Sequence, residues 1–185
     1  MLKNFWHFLK HPVYEEDENT DFKYRFIIVL RFVGIAIVIS ILLGALIGVL
    51  EAVFKLDFGK HAIQKVLEDY SPWVLLFAAV ILAPLVEEFI FRGPMAFFKD
   101  KTYFNYIFYG LTLVFGFYHI TNFEINTTIL LLSPLLVAPQ ISVGAIMGFV
   151  RVRFGLLWAI ALHAMYNLIL IGPMVALQVL DIPLE

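Results

Sequence analysis

The sequence predicts an all-α fold: a polytopic transmembrane helix bundle of about five spans, with amphipathic helices lying in the membrane interface. Composition carries the first part of that prediction. Of 185 residues, 62% are hydrophobic and only 15% charged, where a soluble domain is about a quarter charged. Segmentation carries the second, because five apolar stretches approach the ~20 residues a helix needs to cross a bilayer. The length suits a single domain. Residues 1–22 divide off as a cytoplasmic interfacial segment, and residues 23–185 as the membrane domain.

Residues 1–22 lack the charged, apolar and small-residue regions of a signal peptide. Phe5, Trp6, Phe8 and Leu9 lie between Lys3 and Lys10, which predicts a short interfacial helix, and an acidic run follows from Glu15 to Asp21. The first span is residues 32–50, free of charge, with Arg31 placed to snorkel. Phe58, Ala62, Ile63, Val66, Leu67 and Tyr70 then recur at helical spacing opposite Lys60, Lys65, Glu68 and Asp69, as in an amphipathic surface helix. The second span starts at Trp73 and ends near Phe98. The third covers residues 103–120. The fourth, residues 125–150, is kinked by Pro134 and Pro139. The fifth, residues 154–171, continues past Pro173 toward Leu180.

With the N-terminus inside, one side collects Lys3, Lys10, Lys23, Arg25, Lys99, Lys101, Arg151 and Arg153; the other holds Lys55, Lys60 and Lys65. The positive-inside rule then places the N-terminus in the cytoplasm and, after five spans, the C-terminus outside. The expected location is a bacterial plasma membrane, with the lipid bilayer as the first partner. The net charge of −2, without a basic block, gives no support to nucleic acid. Cysteine is absent, which excludes disulfides, thiolate catalysis and cysteine-held metal.

Ionisable groups inside a membrane cost at least ~2.5–3.5 kcal/mol each at its centre. Here they are concentrated. Glu87, Glu88 and Arg92 fall in the second span, His119 in the third, His163 and Asn167 in the fifth. A rise of 1.5 Å per residue puts Glu87 ~16 Å, His119 ~22 Å, His163 ~14 Å and Asn167 ~20 Å from the cytoplasmic turns. Three helices thus bring polar groups to one slab of the membrane, which predicts a shared polar cavity. Glu88 and Arg92, four apart, share a helix face and can pair. Glu87 is turned about 100° away and faces another neighbour. His163 and Asn167 share a face for the same reason. Pro84 weakens the helix ladder beside Glu87.

EEFIFRG at 87–93 fits the pattern EExxxR, FGFYH at 115–119 fits FxxxH, and HAMYN at 163–167 fits HxxxN. In that order, over about residues 70–170, the chain resembles the CPBP intramembrane proteases, the CAAX-protease and bacteriocin-processing family also called Abi. The resemblance implies a hydrolase that cuts a peptide bond near the membrane surface. Its substrate would be a prenylated C-terminal peptide, a peptide leader or a membrane-protein segment. Glu87 with His119 would activate a water, and His163 with Asn167 would stabilise the oxyanion. A positioned base is worth ~10²–10⁴-fold in rate, and an amide donor to an oxyanion ~10²–10³-fold.

Glu87, His119 and His163 also have the composition of a catalytic zinc site with an open fourth position. However, HExxH is absent, and a metal-free glutamate mechanism fits the same residues. Each feature has a plainer reading too. Glu88 and Arg92 can be a packing ion pair, the histidines and Asn167 interhelical hydrogen-bonding groups, and Gly144 with Gly148 a small-residue helix contact. Phe115 reads as a packing residue. A proton-coupled transporter would gather the same residue types, though it would show internal repeats. A non-catalytic scaffold or bacteriocin-immunity protein is the third class.

Overall fold

The computed structural model describes residues 1–58 and 70–180. Among them the chain is helical with no strand, and the amphipathic helix expected over residues 58–70 lies, but for its end residues, outside the described part. Helix α1 is Leu2–Lys10 and α2 is Phe22–Phe54, capped by the Asp21 carboxylate, which accepts from the Tyr24 N–H at 2.7 Å. Helix α3, Pro72–Phe77, starts at a Ser71 cap with proline in its first position. It passes through a π turn, Ala78–Leu82, into α4, Ala83–Phe91, and a 3-10 turn, Gly93–Phe98. Helix α5 is Phe104–Tyr118, continued by a 3-10 turn, His119–Asn122. Helices α6, Thr127–Leu136, and α7, Ala138–Phe154, meet at a break at Val137, and α8 is Leu156–Val179.

Among the described residues, four stretches are long and apolar enough to cross a membrane: Phe22–Phe54, Pro72–Phe98, Thr127–Phe154 and Leu156–Val179. Only 17% to 39% of each apolar window is buried inside the protein. The exposed remainder is a hydrocarbon-facing surface, not the skin of a soluble domain. The span expected over residues 103–120 is α5, at 15 residues shorter than a full crossing. Polar residues trim it at both ends: Lys99, Asp100, Lys101 and Thr102 before it, His119, Thr121 and Asn122 after it. It still links the two ends of the bundle. Phe104 meets the Tyr14 ring at one end, and Phe123 packs near Leu56, just past α2, at the other.

Helix α1, where a short interfacial helix is expected, packs on the bundle through its aromatic residues. Phe8 sits edge-on to Phe108 and Phe149, Phe5 packs on Phe32, and Trp6 stays exposed beside Lys10. The acidic run then crosses the basic end. Arg153 pairs with Glu15 at 3.0 Å and Asp17 at 3.3 Å, and Arg25 donates to the carbonyls of Asn19, Asp17 and Phe154. Arg25 and Arg153, two of the cations assigned to one side of the membrane, therefore meet at one end of the bundle. Gly155, at φ 98°, makes the reversal from α7 to α8 that an L side chain would resist.

Gly144 and Gly148 are contact glycines, as their spacing suggests. A methyl group on Gly148 would lie 2.7 Å from the Phe108 ring, and one on Gly144 2.8 Å from Phe115. Helix α7 thereby comes close enough to α5 to set its own backbone against the site.

Candidate active site

The second span is irregular where the site needs room. In the π turn the Ala83 N–H reaches back five residues to the Ala78 carbonyl. Residue 84 is proline and has no N–H to give. The Ala79 carbonyl thus lacks both its α-type and its π-type donor. The Asn167 side chain supplies one instead, from Nδ2 at 2.7 Å. An acceptor oxygen there fixes the amide orientation, so one N–H of Asn167 is used and the other remains. The π turn and Pro84 together place α8 against α4.

On α4, Glu88 and Arg92 pair one turn apart, Oε1 to Nη1 at 3.2 Å, and both are fully buried. Arg92 also donates to the Gly144 carbonyl at 3.1 Å, and its guanidinium lies over the Phe115 ring at 3.8 Å. Glu88 has a second partner that its spacing from Arg92 does not announce: its Oε1 is 2.9 Å from His163 Nδ1. The expected division, with Glu88 held by arginine and Glu87 facing the histidines, is therefore only partly what is found. Glu88 serves both Arg92 and His163.

Glu87, 19% exposed, points into a cavity of about 540 Å³ that His119, His163 and Asn167 also line. Its Oε2 stands 3.9 Å from His119 Nε2 and 3.9 Å from His163 Nε2. His119 Nδ1 lies 2.8 Å from the Phe115 carbonyl. A carbonyl only accepts, so Nδ1 carries a proton, and in the neutral ring Nε2 keeps its lone pair. The Phe115 to His119 spacing is one helical turn, which lets the phenylalanine fix the histidine through its backbone while its ring supports Arg92. Glu87, His119, His163 and Asn167 come together around one space, and Glu88 and Arg92 stand behind them. His7 and His11 lie far away on the N-terminal segment, their rings side by side.

The donor set invites a test for zinc. Two imidazole nitrogens and a carboxylate suit it chemically, with Glu88 in the outer position that orients a ligating histidine. The spacing does not. Ligands about 2.0–2.2 Å from a tetrahedral ion stand about 3.4 Å apart, and both measured edges are longer, at 3.9 Å. No trio of His, Asp and Glu among the described residues has the arrangement of a metal site.

Several cavity residues escaped the motif patterns. Gln140 and Asn122 line it, and so does Tyr166, whose hydroxyl is 2.8 Å from the Ser40 hydroxyl on α2. Arg151 donates from Nε to the Arg92 carbonyl at 3.1 Å and from Nη1 to Tyr14, tying the N-terminal segment to the end of α4. Only a polar residue among apolar neighbours signals Gln140 in the sequence; nothing local signals the others.

The family model for type II CAAX prenyl endopeptidase Rce1-like proteins matches residues 69–169. The chain belongs to that family. The matched region of this Rce1-like chain holds every residue of the cavity's polar cluster, from Glu87 to Asn167. No curated protein and no solved structure matches the chain.

Proposed function

We propose that this Rce1-like protein is an intramembrane endopeptidase that hydrolyses a peptide bond of a membrane-associated, CAAX-type substrate. One observation carries the residue roles: the Glu87 carboxylate and two histidine Nε2 atoms converge at 3.9 Å in a cavity within an apolar bundle. That gap is too long for direct hydrogen bonds and suits a water held between the groups. Glu87 takes a proton from this water while its oxygen attacks the scissile carbonyl carbon, and His119 Nε2 orients it. The carbonyl electrons move onto oxygen, forming the oxyanion. Its collapse breaks the C–N bond, and the proton passes from Glu87 to the leaving amine. The free N–H of Asn167 donates to the oxyanion. His163, oriented by Glu88 through Nδ1, supports the oxyanion from Nε2. No step needs a metal.

We place the basic end, with residues 1–22, on the cytoplasmic side of the membrane, following the positive-inside rule. Residues 23–185 form the membrane domain of this reading.

The test is cleavage of a prenylated peptide ending in a CAAX sequence by the detergent-purified protein, followed by mass spectrometry. Asn167→Ala should leave a rate about 10²–10³-fold below wild type, since one oxyanion donor is lost and the other remains. A metal-stripped preparation in chelator should cleave at the untreated rate. Strong inhibition that zinc reverses would instead assign the histidines to a metal. Failure to cleave prenylated, leader and membrane-segment peptides alike would remove the hydrolase reading in favour of a transporter or scaffold.

A further inference from the structure

Among the polar groups lining the catalytic cavity, most are already engaged. His119 Nδ1 is held by Phe115, His163 Nδ1 by Glu88, Asn167 Nδ2 by Ala79, and the Tyr166 hydroxyl by Ser40. Two buried acceptors on this lining have no hydrogen-bond partner among the described residues: Oε2 of Glu87 and the carboxamide oxygen of Gln140. The hydrolytic reading gives Glu87 a water. Gln140 is left over.

Its position is not that of a stray surface amide. Gln140 begins the stripe of α7 that faces the site: Val143 and Met147, three and seven residues on, line the same cavity, and the Gly144 carbonyl, four on, holds Arg92. Much of the remaining cavity lining is apolar, with Ala78, Ala79, Ala83, Leu170 and Met174. A carboxamide oxygen on that wall has no donor among the described residues and takes one from water in the cavity or from a ligand N–H.

We propose that Gln140 is a substrate-binding residue whose carboxamide oxygen accepts a main-chain N–H of the peptide beside the scissile bond. The inference rests on the hydrolase reading and adds to it a determinant of how the peptide is held. The chemistry selects the partner. An acceptor calls for a donor, and an extended peptide entering an apolar cavity brings N–H groups that also need partners once stripped of water. One bond then satisfies two buried groups. It forms with substrate and transition state alike, so it acts on KM more than on kcat.

The experiment compares wild type with Gln140→Ala on a farnesylated CAAX-type peptide and on versions N-methylated at one non-scissile position at a time. Gln140→Ala should raise KM about three- to tenfold, the size of one neutral hydrogen bond, with kcat little changed. Its Tm should be close to that of wild type, because the carboxamide oxygen has no hydrogen-bond partner to lose among the described residues. Wild type should lose a similar factor at one N-methylated position, and Gln140→Ala should lose nothing further there. Equal N-methyl penalties in both proteins at every position, or a lowered Tm with kcat and KM impaired together, would overturn the inference and leave the hydrolase reading standing. A wild-type protein that cleaves no peptide removes both.

Discussion

Replacing Glu87 with glutamine or alanine should abolish measurable turnover of a prenylated peptide and leave the protein folded. The expected loss is at least ~10²–10⁴-fold, the usual worth of a positioned base. Folding should survive because Glu87 stands outside the buried pair behind it. Its Oε2 has no hydrogen bond to lose, and its side chain is partly exposed to the cavity. The readout is two measurements on one preparation, cleavage rate by mass spectrometry and Tm in detergent. A Glu87→Gln protein with wild-type Tm and no turnover supports the assignment. His119→Ala should behave likewise, since it removes the second contact to the same water. Full activity in Glu87→Gln would end the glutamate mechanism whatever the Tm.

The fold was legible in the sequence because its cause is a bulk property. Long apolar stretches between charged turns leave few alternatives in a bilayer, and α1, α2, the second span, the kinked α6–α7 pair and α8 fall where that pattern puts them. The shortness of α5 was less legible. Hydropathy counts residues 103–120 as one apolar run, whereas the polar groups that end the helix on each side are few. That the site's polar residues would cluster was legible through depth and order. What stayed hidden is connectivity. The bond from Glu88 to His163 spans 75 positions, and no helical periodicity records it. The π turn at Ala78–Leu82 follows from Pro84 only once Asn167 is known to stand opposite, and Gln140 carries no motif.

Arg92→Ala should unfold or severely destabilise the protein, an effect distinct in kind from that of Glu87. Arg92 is fully buried and joins three elements: Glu88 on its own helix, the Gly144 carbonyl on α7 and the Phe115 ring on α5. Removing one partner of a buried ion pair costs about 3–5 kcal/mol, because the other charge stays behind without compensation. Here that charge is Glu88, which also orients His163, so activity should fall with stability. Lysine should restore little. A single ammonium cannot bond the carboxylate and the carbonyl in a fixed fork while lying flat on an aromatic ring. The double variant Arg92→Ala with Glu88→Ala should recover part of the lost stability, since no orphaned charge remains, and no activity, since His163 has lost its anchor. Chemical unfolding in detergent, beside size-exclusion chromatography, measures the first term, and peptide cleavage the second. If Arg92→Ala were as stable as wild type, the buried pair would not be what holds α4, α5 and α7 around the cavity. If the double variant were no more stable than the single one, the loss would come from missing packing against Phe115 and not from the unpaired carboxylate.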